Sequence, residues 1–254
     1  MSYTQTALRI EENQSAEISG KPYHEFLQLS SPESIATHFI GALKASEIKE
    51  QPYRRWVLKN TLPEDMCVGV LVLPIVPPAI EECAGVRDYE QNNRKRSFFT
   101  PEMREDFPAV QTFCDAFQRP EVARQITETL NLPPNDIEGS YLRVEYIQDT
   151  DGAWLEPHPD ITAKLFSMVI YLCTGPEAKD WGTDIYDADK KWVGRSTAAF
   201  NSAVIFVRSD VTFHGFEKRP IKGVRRLMEV NYVRSLWRDR DQLSFPDKPI
   251  TLKG

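Results

Sequence analysis

Two runs in the second half of the chain, LFSMVIYL (165–172) and VRRLMEVNY (224–232), alternate in a way that suits only an extended backbone. Successive side chains of a strand point to opposite faces. In the first run one parity is Phe166, Met168, Ile170 and Leu172, wholly apolar, and the other is Leu165, Ser167, Val169 and Tyr171. In the second, Val224, Met228, Val230 and Tyr232 share one parity, and Arg225, Leu227, Glu229 and Asn231 the other. Such strands can turn their mixed face to water. They can instead press the apolar face under helices and line an interior with the mixed face. The first half of the chain reads as helical and needs an apolar sheet to pack on, so the second arrangement accounts for both halves. It predicts that Arg225, Glu229, Asn231 and Tyr171 face one cavity.

The helical reading comes from periodicity and punctuation. SSPESIATHFIGALKAS (30–46) has a serine cap, an early proline and Ile35, Phe39, Ile40 and Leu43 at helical spacing. His38 in that helix reads as a satisfied histidine rather than a ligand. YRRWVLKN (53–60) reads as a strand, and Thr61 with Glu64 reads as a capping box opening TLPEDMCVGVLVL. PEMREDF, PAVQTFCDAF and PEVARQITETL each begin with a proline, whose missing N–H is least harmful there. Residues 74–100 read as loop with Phe98 and Phe99 returning to the core, and residues 1–30 as an extended, loosely packed arm. After NLPPND, SYLRVEYI, KLFSMVIYL, TDIYDA, AVIFV and RRLMEVNYV read as short strands. The expectation is one α+β domain over 1–254, with a helical support (30–132) under an antiparallel sandwich or barrel (138–235).

Composition excludes some partners. With 31 Lys+Arg against 37 Asp+Glu the formal charge is -6, which disfavours nucleic acid. The RKR run at 94–96 is too short to change that and reads as a solvated loop. Of the four cysteines, Cys67, Cys114 and Cys173 sit in apolar runs and Cys83 does not; none forms a CxxC pair, which suits reduced core thiols. With no signal-like or membrane-length apolar run, a cytoplasmic protein without a membrane partner is expected.

The chemistry concentrates at WLEPHPDITAKLFSMVIYL (154–172), where His158 and Asp160 stand two apart at the front of what reads as one strand. That pair could be a cap, a salt bridge or two thirds of a metal site. Two imidazoles and one carboxylate on one face of an octahedral ion characterise non-haem Fe(II) oxygenases. Among the four histidines, His214 in DVTFHGFEKRP is the candidate for the third ligand.

VEY at 144–146, EPHPD at 156–160, VIYL at 169–172, FHGF at 213–216 and GVRR at 223–226 together resemble the 2-oxoglutarate- and Fe(II)-dependent oxygenases, in the prolyl-hydroxylase-like branch. The resemblance spans roughly 138–235 and implies a double-stranded β-helix, the jelly-roll or cupin-like barrel. It implies that His158, Asp160 and His214 ligate Fe(II). It also implies that Arg225 grips the distal carboxylate of 2-oxoglutarate and that Tyr171 donates to the same group. Arg226 is the rival of Arg225, set aside because its parity faces the helices. The cosubstrates implied are 2-oxoglutarate and O2, with ascorbate as an auxiliary reductant, and the products succinate and CO2. Halogenating relatives replace the carboxylate ligand by a small residue, so Asp160 favours hydroxylation.

For substrate contacts the candidates are Glu229, Asn231, Arg143 and Trp154, with Trp181 and Trp192 also placed in loops near the mouth. Glu229 could equally form an internal salt bridge with Arg143. The polar stripe favours a small polar metabolite such as an amino acid or derivative. A peptide or protein side chain comes second, and a nucleic-acid demethylase or a non-catalytic binding module after that.

Overall fold

The computed structural model describes residues 28–77, 85 and 96–253, together with a two-residue hairpin of β1 (Glu17–Ile18) and β2 (Lys21–Pro22). The rest of the N-terminal arm and Cys83 lie outside the described residues. The described residues form six α-helices, the first five at segments read as helical: α1 (Pro32–Lys44), α2 (Glu64–Leu71), α3 (Pro101–Asp106), α4 (Pro108–Phe117), α5 (Pro120–Leu130) and α6 (Pro134–Ile137). Ser31 caps α1 by accepting from the Ser34 amide at 3.2 Å, and Thr100 caps α3 from Met103 at 3.3 Å. The expected capping box at α2 does not form. Thr61 Oγ1 donates to the Asn201 carbonyl at 3.1 Å, and Pro63 stands at the cap without a side-chain bond. His38 Nε2 meets the Asn60 carbonyl at 2.8 Å, as a satisfied helix histidine should.

Eleven more strands complete the described fold: β3 (Glu47–Lys49), β4 (Arg55–Leu58), β5 (Ser97–Phe98), β6 (Tyr141–Asp149), β7 (Leu155–His158), β8 (Phe166–Tyr171), β9 (Asp184–Tyr186), β10 (Trp192–Arg195), β11 (Ser202–Val207), β12 (His214–Phe216) and β13 (Arg225–Val233). A seven-stranded antiparallel sheet runs β3-β4-β11-β8-β13-β6-β5, and a four-stranded one runs β10-β9-β12-β7. These are two separate sheets, not a hydrogen-bonded closed barrel, among the described residues. The expected single strand at 154–172 is in fact two: β7 belongs to the small sheet, β8 to the large one, and Asp160 lies in the connection. Trp192 likewise sits on β10, not in a loop.

Strand parity decides what each sheet face meets. Phe166, Met168, Ile170, Leu172, Met228, Val230 and Tyr232 share one cluster with helix residues such as Phe39, Phe113 and Phe117. Phe113 and Phe117 stack with centroids 4.4 Å apart, and Phe39 leans on Phe117 at 4.7 Å. Val169, Tyr171 and Leu227, of the opposite parity, join a second cluster with Trp181, Val204 and Phe216. The mixed faces thus point inward, as the alternation predicts. Leu165 is the exception, packing on the helix side just before β8 begins. On β6, Leu142, Val144 and Tyr146 take the helix side, which turns Arg143 and Glu145 inward.

Candidate metal centre

The short strands β7 and β12 form a ladder in which His158 stands directly opposite His214. Cross-strand neighbours share a face, and the two imidazole centroids lie 4.5 Å apart. Each ring is held the same way: His158 Nδ1 meets the Glu156 carbonyl at 2.8 Å and His214 Nδ1 the Thr212 carbonyl at 3.1 Å. A carbonyl only accepts, so each Nδ1 carries a proton, and in the neutral ring Nε2 then presents its lone pair, the tautomer that a metal requires. Gly215, between His214 and Phe216, lets the strands approach this closely. A Cβ there would lie 2.7 Å from the Leu155 carbonyl oxygen and 3.0 Å from that of Glu156.

Asp160 is buried beside the pair. Its Oδ2 lies 3.9 Å from His214 Nε2 and accepts from Ser167 Oγ at 2.7 Å, while Oδ1 accepts from Lys164 Nζ at 2.8 Å. One ligand atom from each of His158, Asp160 and His214 falls within 4.8 Å of the others. Two neutral nitrogens and one carboxylate oxygen on a single face form a donor set that fits Fe(II) and other first-row cations. Behind His214 the Phe206 ring packs at 4.5 Å, and Tyr53 donates its hydroxyl to the Phe213 carbonyl at 3.1 Å. Burial raises the Tyr53 phenol above its usual range, so it remains a neutral donor.

At the other end of the mixed face, Tyr171 pairs across the strands with Leu227, and Arg225 lies two residues along β13 on the same parity. Arg225 Nε donates to the Trp181 carbonyl at 2.6 Å, its other arm pairs with Asp149, and the guanidinium covers the Phe216 ring at 4.1 Å. Tyr171 Oη lies 2.6 Å from both Thr183 Oγ1 and Ser196 Oγ, and the Thr183 amide donates to it at 3.0 Å. The reading of the sequence missed Thr183 and Ser196. Their signal was Gly182, where a Cβ would stand 1.8 Å from the Ser196 carbonyl oxygen, so only glycine allows this contact. Arg226 lies on the opposite parity, cross-strand from Gln148, whose amide reaches the Ile75 carbonyl at 3.2 Å.

Three of the residues expected to meet substrate, Glu229, Asn231 and Arg143, are bonded to one another. Glu229 takes Lys164 at 2.5 Å, and Arg143 stands 3.9 Å away, so Lys164 is the nearer cation. Arg143 donates to Glu145 at 2.8 Å and to Asn231 Oδ1 at 2.8 Å. Arg96 makes a two-armed pair with buried Glu145, which corrects its reading as part of a solvated loop. Trp154 lays its ring over Gly85, and Trp181 is buried among the interior apolar cluster.

No family model matches the chain, and no curated protein matches it either. Solved structures do. A Pseudomonas putida prolyl-4-hydroxylase superposes with a TM-score of 0.50 at 17% identity, over 82% of this chain and 99% of that one. That likeness is one of fold, the double-stranded β-helix. A Trichoplax adhaerens prolyl hydroxylase, solved with a hypoxia inducible factor peptide fragment, gives 0.49 at 12% identity over 78% and 88% of the two chains. A Phytophthora capsici prolyl 4-hydroxylase gives 0.47 at 12% over 86% and 68%. The double-stranded β-helix expected from the motifs is therefore the architecture present, with its two sheets as the two faces of the roll. No described helix is long and apolar enough to cross a membrane.

Proposed function

We propose that this protein is an Fe(II)- and 2-oxoglutarate-dependent oxygenase that hydroxylates an unactivated C–H bond. The observation that carries the reading is the meeting of His158, Asp160 and His214, from separate segments, inside the prolyl-hydroxylase fold. His158 Nε2, His214 Nε2 and an Asp160 oxygen would hold the iron. When bound, iron with 2-oxoglutarate and O2 supplies the oxidation, which converts the keto acid to succinate and CO2 and the C–H to C–OH.

The chain's own groups bind and orient. Arg225 offers a guanidinium to the distal carboxylate of 2-oxoglutarate, held in place by Asp149 and the Trp181 carbonyl. Tyr171, Thr183 and Ser196 put three hydroxyls around the same end of the cavity. Val169, Leu227 and Phe216 are buried in one apolar cluster with Tyr171, an environment that keeps water from this end of the site. The carboxylate of Asp160 favours hydroxylation over halogenation. Buried thiols at Cys67, Cys114 and Cys173 suit a reducing compartment, and we assign the protein to the cytoplasm. Burial pushes the Cys114 thiol up to about 12, which keeps it unreactive.

A small polar metabolite such as an amino acid or derivative is the first substrate class, resting on the polar stripe of the mixed strand faces. One observation favours the second class, a peptide side chain. Asp160, Glu229 and Glu145 are each paired with Lys164, Arg143 or Arg96, and a neutral target needs no counter-charge from them. Succinate release with free amino acids and with proline-containing peptides separates the two, because coupled turnover appears with one class. Release that neither set of compounds stimulates, with iron and 2-oxoglutarate bound, would remove both substrate readings.

A further inference from the structure

Beside Asp160 stands a side chain that the proposed chemistry leaves out. Lys164 is 5% exposed, and lysines are almost never so buried unless paired. Its ammonium joins two carboxylates, donating to Asp160 Oδ1 at 2.8 Å and to Glu229 Oε1 at 2.5 Å. Ser167 Oγ spans the same pair, at 2.7 Å from Asp160 Oδ2 and 3.2 Å from Glu229 Oε1. Asn231 Nδ2 in turn donates to Ser167 Oγ at 2.9 Å.

The backbone fixes Lys164 in this position. Its amide closes the turn after Asp160 onto the Ile161 carbonyl at 3.1 Å, and the residue bridges to Val233 at the end of β13. Leu165 then bonds the Tyr232 carbonyl at 3.0 Å. The backbone that carries the ammonium is therefore tied to the end of β13. A carboxylate turns readily about its last torsion and can offer a metal one oxygen or both. Here Oδ1 is engaged by the ammonium, while Oδ2 is the oxygen 3.9 Å from His214 Nε2.

We infer that Lys164 is a positioning residue that holds Asp160 as a one-oxygen ligand, with Glu229 anchoring the ammonium from behind. A carboxylate binding through both oxygens would occupy a coordination position that the cosubstrates need. The inference rests on the metal reading above.

Cobalt(II) titrated into the metal-free full-length protein tests it, by affinity and by the visible ligand-field spectrum. Lys164→Met keeps the length of the side chain and removes its donors. We expect cobalt affinity to fall by roughly 10- to 100-fold, the range found when an outer partner of a metal ligand is lost, with a changed spectrum. The single variant leaves Glu229 buried without its ammonium, so the doubly substituted Lys164→Met/Glu229→Gln protein, free of that charge, is the deciding one. The same loss and the same altered spectrum in the double variant support the positioning role. Wild-type affinity and spectrum in the double variant would show that Lys164 only neutralises Glu229, and the inference is overturned. Failure of the wild-type protein itself to bind cobalt would instead remove the metal reading, and this inference with it.

Discussion

Arg225 and Arg226 are adjacent in sequence and face opposite sides of the same strand, so they make a sharp pair of tests. Arg225→Ala should weaken 2-oxoglutarate binding by about 1.5–3 kcal/mol, the scale of a lost charge-assisted hydrogen bond. Arg226→Ala should leave it within about 0.5 kcal/mol. Titration calorimetry on the iron-free protein with an inert metal reads both, and the reverse order would mean the register is wrong. Elsewhere, Asp136 is held below its usual value of 3.8, first by hydrogen bonds from Arg234. Its stabilising effect is present above the unfolded-state value and disappears as pH falls through the lower, folded-state one. Both partners are about one-third exposed, which keeps the effect under about 1 kcal/mol. Asp136→Asn should thus lower denaturation stability at pH 7 and match the wild type near pH 2. The meeting of His158, Asp160 and His214, and the shared parity of Tyr171 with the Arg225 side of β13, were legible in the sequence because motif and parity name individual positions. Lys164 was not: ITAKLF gives a surface-like lysine, and its partner Glu229 lies 65 positions away.

At the scale of elements, the helices were legible because caps and prolines are local signals. The long strands β6, β8 and β13 were legible too, since six to nine residues are enough for alternation to show. The strands that carry the metal ligands were not. β7 has four residues and β12 three, too few for a period of two to stand out. What brings them together is Gly215, and the structure makes a direct prediction there. Gly215→Ala sets a methyl against the Leu155 and Glu156 carbonyls, so β12 must back away from β7 and carry His214 from His158. Metal affinity should drop by at least about tenfold while the helical circular dichroism signal is kept. Unchanged affinity would mean that this close approach does not set the ligand spacing. The failed capping box at α2 teaches the same lesson: Asn201, 140 positions away, captured Thr61 before the helix could use it.

Across the whole molecule, the helix-packed core and the His158–Asp160–His214 group belong to different layers of the fold. The helix-side cluster contains the packed aromatic rings of α1 and α4, whereas the candidate metal ligands belong to the small sheet and its adjoining connection. Phe113→Ala should therefore lower stability by about 3–5 kcal/mol without changing the metal affinity of the folded protein. Thermal melts and a metal titration below the transition check both halves of that statement. What the sequence left open at this scale was closure, since alternation reports which face is buried and not whether two sheets join edge to edge. The proposed oxygenase chemistry requires one ferrous ion gathered by residues 158, 160 and 214 next to a keto acid held by Arg225. Adding Fe(II) and 2-oxoglutarate to the protein without oxygen, and recording the visible difference spectrum, tests this most directly. One equivalent of iron should produce a weak absorption band that appears only with the keto acid and is lost in His214→Ala. A wild-type protein that gives no band, or a His214→Ala protein that gives the same one, would contradict it.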